Sequence, residues 1–302
     1  MNLRMQSLIP KTMTIEEAKN IGILKLSEAG ITDASVDVYR ILEEVRGINR
    51  GYVLAHPEEM LDSEEYPDAQ QRFLDMLAMR TKRIPLQHIL GYEYFMSLKF
   101  EVTPDTLIPR PDTEILVEEV LRDMCDGMRF LDMCTGSGCI LTSILFYTNS
   151  CEGAGADISA EALAIAKKNA DELLKGKEGI SYSFCESDLF EKVEGKYDII
   201  VSNPPYIATK VIADLEKEVK DFDPMLALDG GDDGLSFYRR IIAQAPDFLT
   251  AAGRIYFEIG YDQGEAVREM LIENGFDHVE IIKDYAGLDR VVKAGRKICL
   301  IN

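Results

Sequence analysis

Hydrophobic positions at helical spacing run through about the first 80 residues and predict a helical N-terminal region. A capping box begins at Thr14 (T-I-E-E) and predicts a first helix that ends near Gly30. A second helix is predicted over residues 35–46, stopping at Gly47, and a third follows Pro67. The apolar stripe predicted for the second helix consists of Val36, Tyr39, Ile41, Leu42 and Val45.

The pattern changes between residues 85 and 111, where Gly, Pro, Tyr and Phe accompany short alternating runs. Residues 91–95 and 98–102 are typical of a β-hairpin that links two domains. The predicted organisation is therefore a helical domain over residues 1–84, a hairpin linker over 85–111 and a larger domain over 112–302.

From Arg129 onward, predicted strands alternate with predicted helices, which is typical of a mostly parallel sheet covered on both faces. The predicted strands cover residues 129–133, 154–158, 180–185, 197–202, 254–259, 278–283 and 296–301. Helices are predicted to end near Tyr147 and to cover residues 159–174, 236–249 and 263–274. No helix separates the last two strands, so we expect an α/β fold with seven strands, the last one antiparallel.

The overall charge disfavours proteins that hold duplex nucleic acid. The chain has 33 basic and 53 acidic residues, a net charge of −20 at pH 7. Proteins that bind DNA gain much of their affinity by neutralising phosphates, and a negative field opposes that. Hydrophobic residues make up 46% of the chain, enough for a sizeable core.

The termini and cysteines predict a cytoplasmic protein with free thiols. No stretch approaches the roughly 18 apolar residues that a membrane span needs, and residues 1–11 lack the pattern of a secretory signal. The six cysteines form no C-x-x-C pair and the chain has three histidines, so no structural zinc site is expected. Cys134 is conceivable as a nucleophile, but a small buried loop residue is the favoured interpretation.

A glycine-containing turn joins the predicted strand at residues 129–133 to the following helix. Residues 131–138 (LDMCTGSG) place Gly136 and Gly138 where the backbone can approach a ligand at the carboxyl end of a strand. A dinucleotide site would show a third glycine, but that position is Leu141. A plain tight turn explains the pattern about equally well.

Two acidic positions follow the next two strands. Asp157 could accept the ribose hydroxyl protons of a nucleoside, or it could cap the helix that begins near Ser159. Asp188 and Leu189 follow the third strand, where they could contact an adenine amino group and ring; a surface loop is the alternative.

The most specific motif is Asn203, Pro204, Pro205 and Tyr206, directly after the apolar strand at 197–202. Two prolines remove two N–H donors and lock the backbone. The Asn203 side chain and the Pro204 carbonyl then offer two acceptors for the two hydrogens of a planar –NH₂ group, and Tyr206 can lie against its face. Such a site suits methyl transfer to an amide-like nitrogen, whose delocalised lone pair must be oriented.

These motifs together resemble the release factor glutamine N5-methyltransferases (the PrmC/HemK family), which are Rossmann-like class I methyltransferases. The resemblance covers nearly the whole chain and includes residues 85–91 (PLQHILG), 107–114 (LIPRPDTE) and 131–138, then 203–206, 224–235, 258–260 and 284–290. The IPRPDTE segment matters most, because nucleic-acid amino-methyltransferases share N-P-P-Y but are not expected to carry it.

The resemblance implies methylation of the glutamine in the Gly-Gly-Gln motif of peptide chain release factors during translation termination. It implies S-adenosylmethionine as cofactor, S-adenosylhomocysteine as product, no metal and a helical domain that grips the release factor. By analogy and from the turns above, the cofactor contacts are Asp132, Cys134, Thr135, Gly136, Ser137, Gly138, Asp157, Asp188, Leu189 and Asn203. The catalytic residues are Asn203, Pro204 and Tyr206, and the glutamine contacts are Asn203, Pro204, Pro205 and Tyr206. Arg110 and Glu114 could belong to the site or stabilise the linker through salt bridges.

Three other functions fit the same motifs less well. Methylation of adenine N6 in DNA or RNA would use the same N-P-P-Y geometry but needs base flipping and a held phosphate backbone, which the net charge disfavours. A binding module that has lost activity would not be expected to retain Asn203, Asp157 and both glycines. A nicotinamide dehydrogenase is disfavoured by the missing third glycine.

Overall fold

The computed structural model describes residues 12–296, and the chain divides between Gly91 and Tyr92 into an N-terminal and a C-terminal unit. The C-terminal residues 297–302, which include Cys299 and most of the strand predicted at 296–301, lie outside the described residues. The domain limits predicted at residues 84 and 111 stay a prediction. Among residues 12–296, no helix is long and apolar enough to span a membrane.

Helices build the N-terminal unit, as predicted. They are α1 Ile15–Glu28, α2 Ala34–Arg46, α3 Arg50–Ala55, α4 Ala69–Arg80 and α5 Leu86–Leu90. The capping box is confirmed, because Thr14 Oγ1 accepts from the Glu17 N–H while the Glu17 carboxylate accepts from the Thr14 N–H. Gly47 ends α2 in the left-handed conformation that glycine adopts readily. The short helices α3 and α5 were not predicted.

One position of the stripe predicted for α2 is wrong. Val36 is 55% exposed, whereas Val38, Ile41, Leu42 and Val45 are fully buried. The buried face begins at Ala34 and continues through Val38, which keeps the helical spacing to the later positions. Gly22 of α1 makes this packing possible, since a Cβ there would lie 2.7 Å from a methyl group of Val38.

A buried ion pair joins two helices of this unit. Nε of Arg80 in α4 donates to Oδ2 of Asp37 in α2 at 2.7 Å, and a second guanidinium nitrogen donates to the Ile84 carbonyl at 3.1 Å. The two charged side chains are only 9% and 12% exposed. Burying such groups is favourable only while each retains its partner.

The C-terminal unit contains a two-stranded hairpin and a seven-stranded sheet. The hairpin strands β1 Tyr92–Phe95 and β2 Leu98–Glu101 pair antiparallel, as predicted. The sheet strands are β3 Arg129–Met133, β4 Glu152–Asp157, β5 Ser181–Glu186, β6 Tyr197–Ser202, β7 Leu249–Glu258, β8 Phe276–Lys283 and β9 Asp289–Arg296. Phe95 and Phe100 of the hairpin are buried in the core of this unit.

The strand order in the sheet is β5-β4-β3-β6-β7-β9-β8. The first five of these are parallel, and β9 is antiparallel to both of its neighbours, which confirms a mostly parallel sheet with an antiparallel last strand. The structure places that last strand before the predicted position, because Val291 and Val292 of β9 are the residues buried between β7 and β8.

Helices cover both faces of the sheet. The α-helices described in the C-terminal unit are α6 Thr113–Asp123, α7 Cys139–Tyr147, α8 Ala160–Leu173, α9 Lys217–Phe222, α10 Met225–Leu228, α11 Ser236–Phe248 and α12 Gly264–Glu273. Side chains of α6, α7 and α8 form the core on one face, and those of α11 and α12 form the core on the other. Helices α6, α9 and α10 were not predicted.

Replacement of Asp37 by alanine tests the buried ion pair. The substitution leaves the Arg80 guanidinium buried without its carboxylate, which costs about 3–5 kcal/mol. In native-state hydrogen exchange, the free energy of opening for amides in α2 and α4 is expected to fall by about that amount.

Asp75→Ala provides the matched control, because Asp75 lies on the exposed side of α4 and accepts a hydrogen bond from the neighbouring Gln71 side chain at 2.9 Å. Amides of the C-terminal sheet report on the unaffected unit. Unchanged protection of α2 and α4 in Asp37→Ala would show that the pair contributes nothing to stability.

Candidate active site

A cavity of about 230 Å³ lies at the carboxyl edge of the parallel strands. Its walls come from the loops after β3, β4, β5 and β6, together with the segment that precedes α6 and residues near α10 and α11. Of the residues predicted to form the site, those that line the cavity are Cys134, Thr135, Gly136, Ser137, Asp157, Asp188, Leu189, Asn203 and Pro205. This is the edge where open α/β sheets bind ligands.

Two positions of the turn after β3 have backbone conformations that favour glycine. Gly136 has φ +53° and Gly138 has φ +74°, both in the left-handed region. A Cβ on Gly136 would meet no atom within 4 Å, so the cavity side of this residue is open. A Cβ on Gly138 would lie 2.9 Å from Cβ of Ala166 in α8, so this glycine allows close packing of turn and helix.

Cys134 also has a left-handed backbone, with φ +62°. Burial raises the pKa of its thiol far above the ordinary range, and the nearby carboxylate of Asp157 acts in the same direction. A thiol in this environment is not ionised at neutral pH, which argues against the nucleophile considered for Cys134.

Asp132 lies beneath this turn and is fully buried. The cofactor contact predicted for it stays a prediction. Its Oδ2 accepts from Thr135 Oγ1 at 2.6 Å and from the Leu141 N–H at 3.1 Å. Burial raises the pKa of Asp132 to about 7, while these two hydrogen bonds oppose the shift. The side chain does not line the cavity, and its contacts stabilise the turn and the start of α7.

Asp157 ends β4 and joins two loops. Its Oδ2 accepts from the Gly136 N–H at 2.9 Å and its Oδ1 from the Ser159 N–H at 3.0 Å. The helix cap considered for this residue belongs instead to Ser159, whose hydroxyl accepts from the Ala162 N–H. The Asp157 carboxylate is thus fixed at the cavity wall by backbone donors.

The loop after β5 brings Leu189 to the cavity with φ +51°, and Leu189 is 4% exposed. Oδ1 of Asp188 accepts from Arg240 of α11 at 2.8 Å. Arg240 also lines the cavity. The sequence motifs did not predict this residue, because it lies on a helix 52 residues away from Asp188.

Asn203 follows β6 directly and lines the cavity. Its Nδ2 donates to Oγ1 of Thr113, the first residue of α6, at 3.3 Å. This bond leaves the Asn203 Oδ1 available as an acceptor. Pro204 is buried and, like Tyr206, does not itself line the cavity.

Tyr206 is held from three sides. Its hydroxyl donates to Oε1 of Glu258 at 3.4 Å, and its carbonyl accepts from Nε2 of Gln263 at 2.9 Å. A Cβ on Gly230 would lie 2.8 Å from Cα of Tyr206, so the neighbouring loop packs directly on its backbone. Burial and the Glu258 carboxylate raise the pKa of Tyr206 above its ordinary range, which excludes a tyrosinate at neutral pH.

Arg110 and Glu114 make structural contacts. Arg110 pairs with Oδ2 of Asp223 at 2.6 Å, and the Asp223 side chain is fully buried. Burial raises the pKa of Asp223, and the Arg110 guanidinium opposes that shift. Glu114 Oε1 accepts from the Met96 N–H in the hairpin turn at 2.5 Å. Arg110 also lines the cavity, so it belongs to the site wall as well.

Comparison with known proteins matches the chain in both units. Residues 17–91 match the family described as the PrmC N-terminal domain, and residues 111–221 match the methyltransferase small domain. A catalytic domain of hMettl16, solved in complex with the MAT2A 3′UTR hairpin 6, has a similar fold with a TM-score of 0.52. That similarity covers 73% of this chain and 81% of the other at 18% identity, and it shows the fold alone.

Curated relatives are similar over almost the full length. The release factor glutamine methyltransferase of Agrobacterium fabrum is 39% identical over 276 residues, which are 89% of this chain and 92% of that protein. The enzyme of the same name from Geobacter sulfurreducens is 37% identical over 284 residues, which are 94% of this chain and 97% of that protein. On this similarity, the chain belongs to the release factor glutamine methyltransferase family.

Proposed function

We propose that this protein transfers a methyl group from S-adenosylmethionine to the side-chain amide nitrogen of the glutamine in the Gly-Gly-Gln motif of peptide chain release factors. One structural observation supports the proposal in addition to the family relationship. Asn203 lies at the cavity wall with its Nδ2 bonded to Thr113, so its Oδ1 is free to accept from a substrate –NH₂.

The cavity fits S-adenosylmethionine by the chemistry of its walls. The open face of Gly136 lets a ligand approach the backbone, Asp157 presents a fixed carboxylate, and Leu189 supplies an apolar surface. When bound, the cofactor supplies an electrophilic methyl group and leaves as S-adenosylhomocysteine. S-adenosylmethionine has no phosphate group, so its site does not need the third glycine that dinucleotide sites have. Leu141 occupies that position here.

The N-P-P-Y loop would orient the amide nitrogen of the substrate glutamine. Asn203 Oδ1 and the Pro204 carbonyl would accept the two amide hydrogens, which aims the nitrogen lone pair and stabilises the positive charge that develops on it. Positioning of this kind can contribute roughly 7–11 kcal/mol to lowering a barrier. Tyr206, held by Glu258 and Gln263, would lie against the face of the amide.

Release factors are the proposed partner, and no nucleic-acid substrate is expected. The relatives' names give release factors as their substrates. The net charge of −20 opposes binding of a phosphate backbone. A cytoplasmic location and docking through the helical N-terminal unit complete the proposal.

Transfer of labelled methyl to a purified release factor tests the proposed function. The parallel acceptors are the same factor with its Gly-Gly-Gln glutamine replaced, DNA and RNA. Label is expected in the intact factor alone. Label in nucleic acid would support adenine methylation instead, and absence of label from every acceptor would contradict the proposal.

Replacement of Asn203 by alanine removes one of the two amide acceptors. Transfer is expected to fall by at least about 100-fold, since removal of a single preorganised polar group at a reacting centre costs roughly that much. Cofactor affinity, measured by calorimetry, should weaken only modestly. Asn274→Ala, at the exposed end of α12, is the control, and wild-type turnover in Asn203→Ala would refute the assigned role.

The two glycines of the β3 turn should respond differently to alanine. Gly136→Ala places a methyl group on the open cavity side and is expected to weaken S-adenosylmethionine binding by about 10-fold or more, with a cost of roughly 1–2 kcal/mol for the left-handed backbone. Gly138→Ala adds a clash with Ala166 to the same backbone cost, so it should lower the melting temperature more.

Calorimetric titration and thermal melts of both variants make the comparison. Equal cofactor affinity in wild type and Gly136→Ala would show that the cofactor does not approach this turn.

A further inference from the structure

We propose that Thr113 is a positioning residue for methyl transfer, which fixes the orientation of the Asn203 amide. The inference rests on the proposed function, because it concerns how the acceptor for the glutamine amide is oriented. Thr113 belongs to residues 107–114, a segment that the N-P-P-Y chemistry alone does not explain.

An asparagine amide can point either its oxygen or its nitrogen at a substrate, and its neighbours decide between the two orientations. Thr113 Oγ1 accepts from Asn203 Nδ2 at 3.3 Å. Thr113 is 2% exposed and lines the cavity, so water does not readily replace it as the acceptor. With Nδ2 held by Thr113, Oδ1 is the atom presented to a donor.

A threonine hydroxyl can donate or accept, and here its oxygen accepts from the Asn203 amide nitrogen. Thr113 also lowers the pKa of the Glu258 carboxyl, whereas burial raises it. Glu258 ends β7 and is 2% exposed.

Glu258 also contacts the other end of the N-P-P-Y motif, because its Oε1 accepts from the Tyr206 hydroxyl at 3.4 Å. The positive charge of Arg290 favours the ionised carboxyl, and that guanidinium is held by Asp112 at 3.2 Å and Asp284 at 3.1 Å. The Tyr206 end of the motif is thus held by a buried carboxyl.

Three threonine variants test the proposal in steady-state methyl transfer to a release factor. Thr113→Val keeps the shape and removes the hydroxyl, so kcat is expected to fall by about 10- to 100-fold, the range that misplacement of a reacting group can cause. The KM for the release factor and the Kd for S-adenosylmethionine should change by less than about 2-fold, because an orienting role acts on the transition state. Thr113→Ser restores the hydroxyl and should recover kcat to within about 3-fold.

Thr250→Val is the matched control. Thr250 Oγ1 donates to a carboxylate oxygen of Asp198 at 3.1 Å, at the opposite end of β7 from Glu258. The variant removes the same type of hydrogen bond away from the cavity and should leave kcat unchanged.

A second readout does not depend on turnover. The side-chain amide resonances of Asn203, in ¹⁵N-labelled protein, should shift in Thr113→Val and return in Thr113→Ser. Wild-type kcat with unshifted Asn203 resonances in Thr113→Val would overturn the proposal, as would an equal loss of kcat in the serine variant. If the valine variant fails to fold, Thr113→Ala replaces it, with an expected loss of about 10-fold in kcat and the same Asn203 shift; wild-type behaviour there would also overturn the proposal.

The two proposals can fail separately. If wild-type protein binds S-adenosylmethionine but labels no release factor, the proposed function fails, while the Asn203 resonances still report on Thr113.

Discussion

Parallel pairing of β3, β4, β5 and β6 is the constraint on which the site depends. Because these strands run in one direction, all of their carboxyl ends lie at the same edge of the sheet. The register aligns Met133 with both Ala156 and Ser202, so the turn after β3 begins level with Asp157 on one side and Asn203 on the other. A ligand at this edge therefore meets residues far apart in sequence without any large rearrangement of the chain.

Two buried carboxyls keep the loops at this edge in place. Asp132 holds the turn after β3, and Glu258 contacts the N-P-P-Y loop through Tyr206. Burial raises the pKa of each to about 7, a cost in stability that a well-packed apolar residue would not have. Such costs are common where a site must keep polar groups in fixed orientations.

Periodicity and motifs were sufficient to predict most of the fold and the main cavity residues. Strand and helix spacing gave the parallel sheet. Gly136, Asp157, Leu189 and Asn203 line one cavity at its edge, and their roles toward a ligand stay predictions. These signals are local, since each residue follows directly on a recognisable strand. Val36 was assigned to the buried face of α2, because hydrophobic spacing allows a stripe through Val36 as well as one through Val38. Packing of Val38 against Gly22 of α1 decides between the two, and the sequence of α2 does not show that contact.

Residues that act through distant partners could not be predicted. Thr113 is 90 positions from Asn203, and Arg110 is 113 positions from Asp223, so neither contact leaves a local pattern. The burial of Asp132 was not predicted either, because motif position alone does not reveal which side chains of a turn point into the core. Residues that follow a strand at the carboxyl edge are thus easier to predict than the distant residues that orient their side chains.

A structure of the protein with S-adenosylhomocysteine and a Gly-Gly-Gln peptide would test the central claim most directly. The account predicts the glutamine –NH₂ within hydrogen-bonding distance of both Asn203 Oδ1 and the Pro204 carbonyl, with Asn203 Nδ2 still on Thr113 and the cofactor product against Gly136 and Asp157. A glutamine amide bound elsewhere in the cavity, or an Asn203 amide that presents Nδ2 to the substrate, would contradict it.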